Sequence, residues 1–381
     1  MQYRKLGNTG LFVSEIGFGG EWMERHTPEE CAAIVRTCEE AGVNIVDCWM
    51  SDPRVRSSLG DAIAPNREKW IIQGHIGSTW QNGQYLRTRD LKLCEEGFED
   101  LLRRFHTDYI DLGMIHYVDS EKEMAEILDD SPYLRYILKL KQEGRIRHIG
   151  LSTHNVNTAL MAARSGVVEM MLFSVNPAFD TMPATEEPGY VTGNDFSEST
   201  RQLDPARREL YRLCEEKGVG ITVMKSLAGG RLLDAKRSPF GAALTVTQCL
   251  HYCLTRPAVS SVLVGYDTPE QVLDVLQYET AGEEEKDFAA VLAAAPNLAY
   301  HGQCTYCGHC KPCPVNIDIA MVNKLYDLAV LHPTVPASLR EHYRALEHSA
   351  DECVACQGCE SRCPFGVSVA KRMALAAELF G

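Results

Sequence analysis

Eight cysteines near the end of the sequence are spaced as ligands of metal clusters. They form two runs, CTYCGHCKPCP (304–314) and CVACQGCESRCP (353–364). The second run has the CxxCxxCxxxCP spacing of a loop that binds a 4Fe–4S cluster, and the first has one residue fewer before its last cysteine. Three thiolates on one tight loop are typical of cuboidal iron–sulfur clusters. The runs therefore predict two 4Fe–4S clusters and one-electron chemistry.

The fourth cysteine of each run is expected to bind the cluster of the other run, as is usual where two such runs share a chain. The alternative is a pair of structural zinc sites. Zinc ribbons usually pair two separated CxxC knuckles, whereas each run here carries four cysteines followed by proline, so the pattern favours clusters. The crossed assignment gives one cluster Cys304, Cys307, Cys310 and Cys363, and the other Cys353, Cys356, Cys359 and Cys313.

A second set of reactive side chains ends the apolar, strand-like runs of the sequence. The run KWIIQGHIGS breaks just after His75, and Asp47, His116 and His154 end three other runs. We expect these ends to converge if the runs are neighbouring parallel strands. A histidine titrates near neutral pH and can move protons, and imidazoles with a carboxylate can also bind a divalent metal.

Eight apolar runs alternate with amphipathic helical segments along the first three quarters of the chain. Apolar strands separated by helices indicate a parallel sheet covered by helices, an α/β fold. Eight units in about 270 residues fit a closed (β/α)8 TIM barrel better than an open doubly wound sheet, and no GxGxxG follows any run. The predicted strands span residues 14–20, 42–49, 69–77, 108–118, 146–154, 170–177, 220–227 and 259–266.

Two domains are predicted from the change of pattern near the cysteine region. Residues 1–295 form the barrel, and residues 296–381 form a small ferredoxin-like domain with two inserted helices, at 317–332 and 337–350. The polar segment 180–204, rich in Gly and Pro, follows the sixth strand. It is interpreted either as a substrate lid or as a mobile surface insertion.

Charge and composition exclude several classes of partner. The net charge of −14 leaves no basic stripe to meet phosphates, so neither nucleic acid nor a membrane surface is expected as a partner. The start of the chain has no apolar core long enough for a signal peptide, and no stretch approaches the roughly 18 apolar residues of a membrane span. We expect a cytoplasmic protein whose fifteen cysteines are not disulfide-bonded.

Four segments resemble the aldo-keto reductase family. They are GVNIVDCWMSDPRVRSSLGDAI (42–63), DYIDLGMIHYVD (108–119), HIGLSTHN (148–155) and ITVMKSLAGGRLL (221–233). The cysteine tail is similar to that of the branch of this family with a C-terminal ferredoxin-type domain. The resemblance implies a (β/α)8 barrel, oxidoreductase activity and a small-molecule substrate.

The catalytic tetrad of that family is only half present. The family uses an aspartate, a tyrosine, a lysine and a histidine, and the tyrosine gives the proton to a carbonyl group. Asp47 and His116 match the aspartate and the histidine. The tyrosine position falls on Asp52, and the lysine position falls on His75.

The resemblance also implies positions for a nicotinamide cofactor. Ser152 matches the serine that binds the nicotinamide amide. Lys225 ends the seventh strand near the phosphate site, where Gly229 and Gly230 suit close backbone approach to an anion. Asp267 lies near where the family often places a basic group, and it would repel the 2′-phosphate of NADP.

The favoured hypothesis is an iron–sulfur oxidoreductase with histidine acid–base chemistry. Asp47 would orient His75 and stabilise its imidazolium, and electrons would arrive from the clusters, directly or through a flavin. A second hypothesis is a carbonyl reductase that takes hydride from NAD(P)H. Its proton would then come from a loop tyrosine, Tyr85 or Tyr190.

Two further hypotheses use the same residues differently. In one, the three barrel histidines and either Asp47 or Asp52 hold a divalent metal at the barrel mouth. In the other, the histidines are structural, and the protein is a non-catalytic electron carrier that docks on a redox protein partner. Charged and imidazole groups on four adjacent strand ends favour a functional site over a purely structural one.

Overall fold

The architecture was obtained as a computed structural model that describes residues 1–185, 203–295, 300, 302–330 and 332–381. Eight strands pair in parallel and close into a barrel, which confirms the predicted (β/α)8 fold. The strands are Tyr3–Lys5 (β1), Phe12–Ser14 (β2), Ile16–Gly19 (β3), Ile45–Cys48 (β4), Ile71–Ile76 (β5), Ser78–Gln81 (β6), Gln84–Arg87 (β7), Ile110–Ile115 (β8), Ile146–Thr153 (β9), Met170–Ser174 (β10), Gly220–Met224 (β11) and Val259–Val264 (β12).

Helices surround the barrel and build the tail. The α-helices are Pro28–Glu40 (α1), Pro53–Ile63 (α2), Leu91–Arg104 (α3), Glu121–Leu128 (α4), Pro132–Gln142 (α5), Val156–Ser165 (α6), Pro205–Lys217 (α7), Val246–Leu254 (α8), Pro269–Leu276 (α9), Glu283–Lys286 (α10), Ala289–Ala293 (α11), Ile319–Ala329 (α12), Ala337–Arg344 (α13), Gly358–Arg362 (α14) and Val369–Phe380 (α15). Short 3-10 helices span Gly20–Arg25, Ala64–Lys69, Phe179–Thr181, Arg231–Leu233, Gln277–Thr280 and Ala350–Glu352. Among the described residues, no helix is long and apolar enough to cross a bilayer.

The eight predicted apolar runs correspond to the eight barrel strands, β3 to β5 and β8 to β12. Their order around the barrel is β3-β4-β5-β8-β9-β10-β11-β12, and β12 closes on β3. Strands such as β5 and β8 are buried along their whole length, because one face packs inside the barrel and the other under the helices. The carboxyl ends of all eight therefore open at one mouth.

The N-terminal end of the barrel is closed by a hairpin that the strand pattern did not predict. Strands β1 and β2 pair antiparallel. Leu6 and Val13 of this hairpin are fully buried and pack with side chains from inside the barrel. Chemistry that needs access from solvent is thereby confined to the opposite, carboxyl end.

The tail packs against the outside of the barrel in one continuous core. Arg256, after α8, donates to the backbone oxygen of Thr305 at 2.6 Å. The hydroxyls of Tyr252 and Tyr300 are 3.3 Å apart, and His309 lies 3.0 Å from Asp287. Helices α12 and α13 correspond to the two helices predicted between the cysteine runs.

Two predictions about chain organisation fall partly outside the described residues. The segment interpreted as a lid, 180–204, includes residues 186–202, which are not described. The domain boundary at 295–296 adjoins the undescribed residues 296–299 and stays a prediction. The first and last residues of segment 180–204 are hydrogen-bonded to each other. The backbone N–H of Asp204 donates to the backbone oxygen of Asp180 at 2.8 Å, so the two ends of the segment lie side by side.

Gly60 of α2 gives a test of how closely the barrel helices pack. A Cβ added there would lie 2.0 Å from the backbone oxygen of Arg104. In an open helix Gly→Ala stabilises, because alanine has the higher helix propensity. Here we expect Gly60→Ala to lower the free energy of unfolding by about 1–3 kcal/mol through overpacking. Denaturant unfolding of both proteins measures the sign, and a gain in stability would contradict the close packing.

Candidate active site and cluster cavities

Three of the predicted strand ends meet in one hydrogen-bonded row at the barrel mouth. Asp47 ends β4, His75 lies near the end of β5, and His116 follows β8. Asp47 Oδ1 lies 2.9 Å from His75 Nε2, and His75 Nδ1 lies 2.8 Å from His116 Nδ1. The three residues are at most 5% exposed. Their side chains are thus largely removed from water and bind one another.

The row ends on a phenol that comes from a hairpin rather than from a barrel strand. The hydroxyl of Tyr85, on β7, lies 2.8 Å from His116 Nε2. Trp49 packs edge-on against the Tyr85 ring, with 5.4 Å between ring centroids. Tyr85 is half-buried, so its hydroxyl group lies between the buried row and the mouth. Tyr190, the other loop tyrosine considered, lies outside the described residues.

In the sequence, the pair Asn82-Gly83 indicates the hairpin of β6 and β7. Both residues have positive φ, +51° and +78°, as a two-residue turn between antiparallel strands requires. Hydrogen bonds that involve buried polar groups fix the hairpin against the segment that follows β4. Ser78 donates its hydroxyl to the oxygen of Trp49, and Arg56, which is 1% exposed, donates to the oxygen of Ser78. Tyr85 is thus positioned by the segment that follows β4.

Gln73 binds the same oxygen of the Asp47 carboxylate as His75 does. Its Nε2 donates to Asp47 Oδ1 at 2.9 Å, and its Oε1 accepts the hydroxyl of Thr222 at 2.8 Å. Thr222 belongs to β11, on the far side of the barrel. The hydroxyl donor on Oε1 sets the orientation of the amide, so its NH2 group must face the carboxylate.

These contacts determine where the protons lie when both rings are neutral. A carboxylate only accepts, so His75 must carry its proton on Nε2, and its Nδ1 then accepts. His116 must donate from Nδ1, which leaves its Nε2 to accept the phenol proton of Tyr85. Every proton therefore points from Tyr85 towards Asp47.

Burial determines which groups stay neutral. Burial, and then the neighbouring His75 ring, holds the pKa of His116 well below its usual range. Arg89 and Arg87 act in the same direction as nearby cations. Burial raises the pKa of Tyr85 to about 12. Alone, this phenol would be a very weak acid at neutral pH.

Two predicted site residues have other partners. Asp52 is the N-cap of α2, where its carboxylate accepts from the backbone N–H of Arg54 at 2.8 Å and from its guanidinium at 3.0 Å. His154 Nδ1 lies 3.0 Å from a carboxylate oxygen of Asp119. Within the described ranges, no three His, Cys, Asp or Glu side chains are placed to hold one metal ion. The metal-binding hypothesis at the barrel mouth therefore has no geometric support.

The residues predicted to bind a nicotinamide cofactor line the same mouth but are poorly suited to NADP. Lys225 Nζ lies 3.8 Å from a carboxylate oxygen of Glu21. Asp267 lies 3.4 Å from His26, so a carboxylate accompanies each basic group. Ser152 is buried on β9. Gly229 and Gly230 both have positive φ, and a Cβ at Gly230 would meet open space.

The cysteines surround two separate cavities in the tail, in the crossed arrangement. One cavity is lined by Cys304, Cys307, Cys310 and Cys363. The other is lined by Cys313, Cys353, Cys356 and Cys359. Four thiols around one cavity suit a cuboidal cluster, whose irons each take one thiolate. Zinc would require four sulfurs about 2.3 Å from a single point, and no such convergence occurs in the described residues.

Comparison with known proteins agrees with this architecture. The aldo/keto reductase family profile matches residues 15–245, and a 4Fe–4S dicluster domain profile matches residues 300–367. The chain is 28% identical to YqkF, an uncharacterised oxidoreductase of Bacillus subtilis, over 74% of this chain and 92% of YqkF. It is 23% identical to L-galactose dehydrogenase of Arabidopsis thaliana, over 79% of this chain and 97% of that protein.

A solved structure shows the same fold. The aldo-keto reductase AKR11C1 from Bacillus halodurans, in its holo form, superimposes with a TM-score of 0.60 at 22% identity, covering 79% of this chain and 98% of that one. The match to the aldo/keto reductase family identifies the class of protein as an oxidoreductase. This chain belongs to the aldo/keto reductase family and carries a C-terminal 4Fe–4S dicluster domain.

The buried neutral state of His116 predicts a sensitivity to acid. Unfolding frees this ring to take up a proton below its ordinary pKa of about 6.5, whereas the folded ring stays neutral. Acid therefore favours the unfolded state, and the free energy of unfolding falls as pH drops through that value. Between about pH 6.5 and 5.5 we expect wild type to lose up to about 1.4 kcal/mol per pH unit more than His116→Gln. Denaturant unfolding across this range is the measurement, and parallel curves would contradict a neutral ring.

Paired cysteine variants test the crossed ligand sets. Cys313→Ala combined with Cys359→Ala removes two ligands of one cluster, so iron should fall from about eight atoms per chain to about four. Cys313→Ala combined with Cys310→Ala is the matched control, because it damages both clusters and should leave less iron. Iron analysis and EPR of the reduced proteins give the result. The opposite ranking of the two variants would show that each run holds its own cluster.

Proposed function

We propose that the protein is an iron–sulfur oxidoreductase in which Tyr85 exchanges a proton with a small carbonyl or alkene substrate, while two 4Fe–4S clusters relay the electrons. The observation that carries the proposal is the continuous hydrogen-bonded row Tyr85–His116–His75–Asp47. It supplies a phenol at the mouth of a barrel whose usual tyrosine and lysine positions hold Asp52 and His75.

The row can store one extra proton and deliver it. In the loaded state His75 is an imidazolium between Asp47 and His116. His116 then donates from Nε2 to the Tyr85 oxygen, so the phenol hydrogen is free to bond to the substrate. When Tyr85 gives that proton to the substrate, His116 donates its Nε2 proton to the Tyr85 oxygen. His75 then donates its Nδ1 proton to Nδ1 of His116. The net transfer is one proton from the His75–Asp47 pair, and oxidation runs the same steps in reverse.

The relay removes the difficulty that burial creates for Tyr85. With its pKa raised to about 12, an isolated phenol would leave an unfavourable phenolate after each transfer. Proton return from His116 avoids that charge. Because burial lowers the pKa of His116, this ring passes its proton on rather than holding it. The extra proton rests on His75, which alone of the two rings has a carboxylate partner.

Two clusters in the tail would hold as many electrons as one turnover needs. Reduction of a carbonyl or alkene consumes two electrons and two protons. A 4Fe–4S cluster supplies one electron at a time, so two clusters hold the pair that one turnover needs. One proton comes from the row and the other from solvent. The ligands are the two cysteine sets that line the tail cavities.

A second candidate function keeps the same proton donor and takes hydride from NAD(P)H. The phenol of Tyr85 favours it, because carbonyl reduction in this family needs a tyrosine proton donor. The carboxylates of Glu21 and Asp267 beside the basic groups argue against NADP. Titration with NADH and NADPH, followed by nicotinamide fluorescence, distinguishes the two. Binding with turnover supports hydride transfer, and turnover by reduced clusters without binding supports the relay.

Removing the phenol hydroxyl should separate proton transfer from electron storage. We expect Tyr85→Phe to slow carbonyl reduction by about 10²- to 10⁴-fold. Cluster content and cluster reduction should stay at wild-type level, because the hairpin lies on the barrel and not in the tail. The assay follows reoxidation of reduced clusters after mixing with a panel of small aldehydes, ketones and enones.

Tyr136→Phe is the matched control for that variant. Tyr136 is a half-buried tyrosine on α5, away from the row, so its loss should leave the rate unchanged. A slower rate in both variants would indicate a general effect on stability. Wild-type activity in Tyr85→Phe would contradict the proposed proton donor.

A further inference from the structure

The two cluster cavities differ in what covers them. The loop of the first cysteine run faces the barrel. Thr305 is fully buried, and its oxygen accepts from Arg256. His309, in the same loop, lies 3.0 Å from Asp287 on the barrel side. The cavity lined by Cys304, Cys307, Cys310 and Cys363 is therefore the inner one.

The loop of the second run faces away from the barrel. Cys356 is exposed, and Val354 is 61% exposed although it lines the cluster cavity. Ala355 and Gln357 are exposed as well. An apolar tip beside an exposed cluster ligand brings the outer cavity close to the molecular surface, so a partner seated there would lie near the second cluster.

We propose that the loop from Cys353 to Gln357 is the docking surface for an external one-electron carrier protein with a positively charged rim. The second cluster is then the point of exchange with the carrier, and the first cluster serves the barrel. This inference rests on the proposed function, because it takes the two clusters as a working relay. It adds the direction of the relay and the chemistry of the partner.

The charges around the loop determine the kind of partner. Glu347, Asp351 and Glu352 are exposed in the segment that leads into it, and they outnumber the exposed Arg362, which lines the same cavity and donates to two backbone oxygens of the first run. An apolar centre with an acidic border suits a partner with an apolar centre and a border of Lys and Arg. Such charges raise the rate of encounter more than the lifetime of the complex, which suits a transient carrier.

The electron transfer itself is balanced without another reagent. The reduced carrier loses one electron, and the second cluster gains it. Two encounters load the two clusters with the pair of electrons for one turnover. In the reverse direction the reduced cluster gives one electron to an oxidised carrier, and no proton or bond is exchanged at the docking surface.

Cytochrome c, a basic one-electron protein, is a suitable probe of this surface. Reduced protein, freed of excess reductant, is mixed with ferric cytochrome c, and the second-order rate is measured at several salt concentrations. We expect Glu347→Lys and Val354→Arg each to slow this rate by about tenfold at low salt and to flatten its dependence on salt. The matched controls are Glu40→Lys and Leu273→Arg, two exposed positions on α1 and α9, and they should behave as wild type.

Oxidation by benzoquinone, a small neutral oxidant that needs no docking, should proceed at the wild-type rate in Glu347→Lys and in both controls. Because Val354 lines the cavity of the second cluster, iron analysis checks that Val354→Arg holds the wild-type amount of iron before its rate is compared. Equal cytochrome c rates in all five proteins, or equal slowing in the controls, would overturn the docking surface. The assay does not read substrate turnover. A negative result therefore leaves the role of Tyr85 standing, and a failure of the Tyr85 test leaves the docking result standing.

Discussion

One carboxylate oxygen, Oδ1 of Asp47, organises the mouth of the barrel. It accepts from Nε2 of His75 and from Nε2 of Gln73, both at 2.9 Å, in a site that is almost closed to water. A buried carboxylate without such donors would strongly destabilise the fold. Because the oxygen can only accept, it also determines which nitrogen of His75 carries the proton. That choice then propagates through His116 to Tyr85.

The histidine at the family's lysine position changes what the site can do. A lysine is a point cation that can lower the pKa of a neighbouring tyrosine. An imidazole has two ends, so His75 can take a proton at one nitrogen while it holds a carboxylate with the other. Under the proposed function the proton donor need not follow β4, because the hairpin of β6 and β7 would supply Tyr85. Asp52, which was expected at the family's tyrosine position, caps α2.

The fold could be predicted from the sequence because its dominant signal is local. Each barrel strand is a continuous apolar run bounded by helices, and eight such runs leave few arrangements other than a closed barrel. The same reasoning brought Asp47, His75 and His116 together, because strands β4, β5 and β8 are neighbours. It also grouped His154 with them. His154 lies just beyond the end of β9, and its nearest partner is Asp119 in the loop that follows β8.

The sequence offers Tyr85 only as one of two loop tyrosines, because its position depends on long-range contacts. The Asn82-Gly83 pair indicates a hairpin, but it does not say which ring the hairpin covers. That is decided by Ser78 and Arg56, whose partners lie far along the chain. The crossed cysteine sets are expected because two such runs in one chain usually exchange their fourth ligands, and the two tail cavities are lined in agreement with that assignment. The packing of the tail on the barrel involves isolated residues such as Arg256, which form no motif.

The most direct test of this account is the tautomeric state of the two histidines. Long-range ¹⁵N–¹H NMR of the protein with oxidised clusters reports which nitrogen of each ring is protonated. In the neutral row, the account predicts a proton on Nε2 of His75 and on Nδ1 of His116, and a bare Nε2 on His116 facing Tyr85. With both rings neutral, a proton on Nε2 of His116 would contradict it, because Nδ1 of His116 could then not donate to Nδ1 of His75 and the Tyr85 hydroxyl would have no acceptor in the row.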